Sequence, residues 1–192
     1  MIAAALTDFL LAIMAFAVAA GPGRALVALQ VGSLLIGIAA FIGAISFAGL
    51  LPLYGLHDAL SLMATVSGLP LLALGLIWPM SKFARRPAFA WALALGASAV
   101  GFAVVGLQGS KTLLEGIAVL AMLAILLTGA LRLDRPRQIV GLLFLLGAAS
   151  FRIGLHSGDQ VPPLAFLHSF MAAAFFVLLR FVSFSLLPAT TG

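Results

Sequence analysis

Seven apolar stretches run through this chain, each close to the ~20 residues a helix needs to cross a bilayer. Gly, Pro and Arg punctuation divides them into residues 2–20, 25–50, 57–78, 87–107, 112–131, 139–155 and 164–187. A count of six would force residues 35–77 into one span, which is too long. A composition that is 64% hydrophobic and only 8% charged excludes a soluble globular domain. The expected fold class is an all-α membrane protein, a seven-transmembrane-helix bundle forming a single polytopic domain over residues 1–192. The first stretch lacks a basic lead and carries Asp8, unlike a cleaved leader. No cysteine is present, so disulfides and thiolate metal ligands are excluded.

The polar connections divide by charge. One end collects Arg24, Lys82, Arg85, Arg86, Arg132, Arg135, Arg137 and Arg180 against a single acid, Asp134. The other holds Lys111 and Arg152 with Asp8, Asp58, Glu115 and Asp159. Cytoplasmic loops are enriched in Lys and Arg, so the N-terminus is expected outside and the C-terminus in the cytoplasm. The net charge of +5 is thus a topological signal, not a nucleic-acid one. The expected setting is a bacterial inner (plasma) membrane with the polar end facing outward.

Ionisable groups inside a bilayer are costly, and each is a functional candidate. Asp8 has no charged neighbour in its apolar run and is expected to be protonated, paired or metal-bound. The alternative is a helix beginning only at Thr7, with Asp8 as an interfacial cap. His57 opens the third stretch, His156 closes the sixth, His168 lies just over a turn into the seventh, and Glu115 one turn into the fifth. All come to the outer end. Below His57, Ser61, Thr65 and Gly68 continue one helical face, which is expected to point into the bundle. Pro70 predicts a kink near residues 68–70. Gly32, Ser33, Gly37, Ala40 and Ala44 in the second stretch, and Gly96, Ala97 and Gly101 in the fourth, read as close helix packing. Arg152 could hold a phosphate or a substrate carboxylate, but is rather expected to pair with Glu115 or Asp159 or to snorkel to the interface; Lys111 is expected to pair with Glu115, and Asp159 to occupy a turn.

The first three stretches can be laid over the last three, leaving the fourth as linker. Asp8 then answers Glu115, and Leu56-His57-Asp58 answers Leu167-His168-Ser169. Such a 3+1+3 parallel repeat has its axis along the membrane normal.

Imidazoles with nearby carboxylates are the residue types of a metal site. One reading puts zinc on His57, His168 and either His156 or Asp8, with Asp58 as general base on a bound water. Ser61, Glu115, Arg152 and Ser169 would line the cavity. The plainer reading has each histidine capped and hydrated at a helix end. No lysine for a retinal Schiff base stands in the seventh stretch, and no phosphate-binding loop, nucleophile elbow or His-Glu-x-x-His occurs.

Seven helices with polar groups near the starts of the first, third and seventh resemble the superfamily of alkaline ceramidases and progestin/adiponectin-type receptors. Its pattern is an acid on helix one, Ser-x-x-x-His on helix two, an early Asp on helix three and His-x-x-x-His on helix seven. Asp8, Asp58 and His168 match three of these positions. Ser46 is followed four residues on by Leu50, and His168 by Ala172, so His57 and His156 would have to supply the missing imidazoles. The resemblance implies an intramembrane zinc-dependent hydrolase acting on a lipid or other small amphiphile drawn from the membrane.

Two other classes fit the residues. A small-solute or proton-coupled transporter would line a central path with Asp8/His57 and Glu115/His168, and its polar stripe should pass mid-membrane on more than one helix. A b-haem protein would use His57 and His168 as axial ligands, with Arg152 near the propionates.

Overall fold

Seven helices are long and apolar enough to cross a membrane: α1 (Ile2–Ala20), α2 (Val27–Phe47), α3 (Tyr54–Ile77), α4 (Pro87–Leu107), α5 (Thr112–Leu131), α6 (Arg135–Ile153) and α7 (Pro163–Arg180). The computed structural model describes residues 2–108, 112–157 and 163–182, and no strand occurs among them. Lys111 and Asp159, with the pairing and turn expected of them, lie outside the described residues.

Local chemistry sets the helix ends. Gly49 takes a left-handed φ of 74°, and the amides of Gly49 and Leu50 donate back to the carbonyls of Ser46 (3.1 Å) and Ile45 (3.2 Å). Glycine adopts that conformation without a β-carbon penalty, so α2 stops short of Leu50. Helix α6 begins earlier than the expected Ile139. Asp134 caps it, its Oδ1 accepting from the Arg137 amide at 3.3 Å, and Pro136 sits in the first turn where no N–H is needed.

Pro70 disturbs α3 as expected, but the disturbance is a widened π turn over Ala64–Gly68. The Leu69 amide donates to the Ala64 carbonyl, five residues back. Proline has no N–H to hold the α register there. The added residue rotates Gly68 off the face shared by His57, Ser61 and Thr65 and turns it onto α2. A β-carbon on Gly32 would meet the Gly68 carbonyl oxygen at 2.6 Å, so these glycines let α2 and α3 touch backbone to backbone. Gly37 likewise accommodates the Phe16 ring, and Gly101 accommodates Val66. Gly96 departs from the packing expectation, because nothing lies within 4 Å of the position its β-carbon would take.

Six helices close a ring in the order α1-α2-α3-α5-α6-α7, with α7 back against α1. Helix α4 lies outside, packed chiefly on α2 and α3, and its most apolar window is 22% buried against 67% for α2. The Ser67 hydroxyl ties α3 to it, meeting the Ala94 carbonyl and the Ser98 hydroxyl at 2.9 Å each. The basic half of the ring is filled by apolar side chains: Val18, Leu76, Ile125, Phe144, Phe175 and Leu178 are fully buried, with the two phenyl rings edge to face. At that end Arg132 donates to the Ile77 carbonyl at 3.1 Å and Arg137 pairs with Asp134.

Candidate functional site

The opposite half of the ring holds the polar groups, and Gly43 of α2 is where they meet. Helix α1 is already formed at Ile2, so Asp8 lies well inside it and is 0% exposed, not an interfacial cap. Its Oδ1 pairs with Nδ1 of His168 on α7. Its Oδ2 presses on Gly43 and has no hydrogen-bond partner among the described residues. The His57 ring rests on the same glycine, with Cε1 and Nδ1 at 2.7 and 2.8 Å from the position a β-carbon would occupy. Any side chain at residue 43 would collide with both groups.

Hydrogen-bond partners assign the rings. His57 Nδ1 lies 3.1 Å from the Ala39 carbonyl oxygen, which can only accept, so Nδ1 carries the proton. Its Nε2 keeps a lone pair and has no partner among the described residues. Phe47 stands edge-on to the ring, 5.2 Å between centroids, and fixes its plane. The Asp8 carboxylate orients His168 through its Nδ1, and the Nε2 of that ring has no partner among the described residues. Both histidines are buried at 8% exposure, which replaces the picture of hydrated helix-end imidazoles.

Both rings border a cavity of about 970 Å³ inside the ring of helices. Its polar lining is His57, Ser61 and Thr65 from α3, Thr112 and Glu115 from α5, Arg152 from α6 and His168 from α7; leucines, alanines and methionines form most of the rest. Thr65 donates its hydroxyl to the Ser61 carbonyl at 2.8 Å. Glu115 and Arg152 pair with each other at the partly exposed rim, as expected.

Three expected members stand elsewhere. Asp58 is exposed and outside the cavity lining. Neighbouring residues on a helix are turned about 100° apart, so with His57 facing inward its neighbour faces out. The expected general base is therefore not in the site. Ser169 sits on the exposed side of α7, donates to the Ala165 carbonyl at 2.8 Å, and is not among the cavity residues. His156 belongs to the last turn of the helix that continues α6 to Ser157, and its side chain lies outside the description. The acid–histidine pairing also differs from the transporter reading: Asp8 joins His168 and Glu115 joins Arg152.

The donor set was tested against zinc. Among the described residues no three His, Asp or Glu side chains converge as ligands. Asp8 and both Nδ1 atoms are turned to protein partners, leaving two imidazole nitrogens, which do not make a three-ligand zinc site. The residues that sequence reasoning missed are Gly43, Phe47 and Ala39, the last acting through its carbonyl. Only Gly43 carried a signal, as a small residue at the depth where antiparallel α1 and α2 bring Asp8 alongside.

No family model, curated protein or solved structure matches the chain.

Proposed function

We propose that the chain is a membrane-embedded hydrolase that takes a lipid or similar amphiphile into its central cavity, the polar head toward His57 and His168. The observation that carries this reading is the Asp8–His168 pair bordering a cavity lined mostly by apolar side chains. An oriented imidazole with a free Nε2 is equipped to take a proton from water as it attacks an ester or amide carbonyl, then to return it to the leaving group. Asp8 holds the ring and stabilises the charge it acquires. The apolar walls accept an alkyl chain and exclude bulk water from the reacting group.

The filled basic half favours this reading over transport. The polar lining continues along α3 only to Thr65, and beyond it the ring is packed with Leu, Ile and Phe. The charge split supports an outward-facing cavity in a bacterial plasma membrane.

The test is hydrolysis by the full chain in nanodiscs, using a medium-chain acyl ester and the matching amide. Wild type is expected to cleave at least one of them, and His168→Ala to lose about 100-fold or more in turnover. No cleavage of either substrate above empty nanodiscs would overturn the proposal.

A further inference from the structure

The inventory of donors and acceptors along the cavity constrains the head of its ligand. His57 Nδ1–H is spent on the Ala39 carbonyl, so the cavity meets only the acceptor side of that ring, Nε2. Thr65 has spent its proton on the Ser61 carbonyl, so its Oγ1 also offers lone pairs alone. His168 is fixed through Nδ1 by Asp8, and in the neutral form that its proposed role as a base requires, its Nε2 would add a third acceptor. Among the described residues of the polar lining Arg152 is the one cationic side chain, and it is paired with Glu115 at the rim. Of the deep polar groups, only the Ser61 hydroxyl can both donate and accept.

We infer that the site selects an uncharged head group bearing hydrogen-bond donors, an alcohol or polyol, and discriminates against anionic heads such as phosphate or carboxylate. A hydroxyl can donate to His57 Nε2 or Thr65 Oγ1 and satisfy an acceptor that a dry cavity would leave unpaired. An anionic head brings only lone pairs to meet lone pairs, and its charge would be desolvated without a counter-ion. His57 and Thr65 act here as specificity residues, separate from the proton-transfer role of His168. This inference rests on the reading of the cavity as an amphiphile site.

The experiment compares three non-hydrolysable probes on the full chain in nanodiscs, with empty nanodiscs subtracted. They are decyl glyceryl ether with two free hydroxyls, the same molecule with both hydroxyls methylated, and decyl phosphate. The diol is expected to bind about tenfold or more tighter than its dimethyl ether, and tighter still than the phosphate. Thr65→Val, which keeps side-chain shape, should narrow the diol preference several-fold, and His57→Ala should narrow it further while the dimethyl ether still binds. Equal affinity for diol and dimethyl ether, or tighter binding of decyl phosphate, would defeat this inference and leave the amphiphile site standing. Failure of all three probes to bind would remove the amphiphile site and the inference with it.

Discussion

Asp8 on the first helix and His168 on the last are paired in the interior, closing the ring of helices between its two ends in sequence. The pair is both a candidate catalytic dyad and a structural clasp, and the two roles separate by experiment. Removing one partner of a buried pair is strongly destabilising because the other is left uncompensated, so Asp8→Ala is expected to cost about 3 kcal/mol. The double variant Asp8→Ala/His168→Ala should cost less than the two singles combined, read by reversible unfolding in mixed micelles. Strict additivity would show that the two side chains are not coupled.

Gly43 and Gly96 should respond oppositely to the same change. A methyl at 43 meets Asp8 Oδ2 and the His57 ring, and overpacking of that kind costs about 1–3 kcal/mol. A methyl at 96 meets nothing, so Gly96→Ala should be neutral or stabilising by up to about 1 kcal/mol from helix propensity. Thermal unfolding of the two variants checks the contrast. Equal effects would mean that the crowding at Gly43 is not real.

Leu133 terminates α5 with a φ of 54°, while the Asp134 amide reaches back to the Gly129 carbonyl at 2.8 Å. This is a helix end that ordinarily employs glycine, and the leucine is 84% exposed with little packing to lose. Leu133→Gly is expected to stabilise the fold by about 1 kcal/mol. A loss of stability would contradict the strain assigned to that position.

The absence of native cysteine makes orientation testable with single substitutions. Leu56 lies at the cavity end and Leu133 at the basic end, both exposed. In intact cells an impermeant maleimide is expected to label Leu56→Cys, and Leu133→Cys only after permeabilisation. The opposite pattern would place the cavity on the cytoplasmic side.

Much of the fold was legible because hydropathy and loop punctuation are local properties. The seven spans, the disturbance at Pro70 and the Glu115–Arg152 pair all follow from spacing, charge and depth. Facing was harder to read. His57 and Asp58 are adjacent, and the sequence alone does not say which of the two turns inward. The interior side is decided by Gly43 on another helix, which has room for an imidazole. Asp8 was legible as a buried acid, but its partner was not, since both His57 and His168 lie at its depth. The ring order decides, by setting α7 beside α1. The register of Gly68 was lost for a different reason, because a π turn breaks the 3.6-residue period used to place it.

The buried side chains of Val18, Leu76, Phe144 and Phe175 fill the ring at the end away from the cavity. An amphiphile admitted as proposed would have to leave on the side it entered. On the proposed hydrolase reading, a departing product would obstruct the next substrate, and inhibition by product is the expected kinetic signature. On that reading the chain would hold or alter cargo drawn from one side of the bilayer without carrying it to the other.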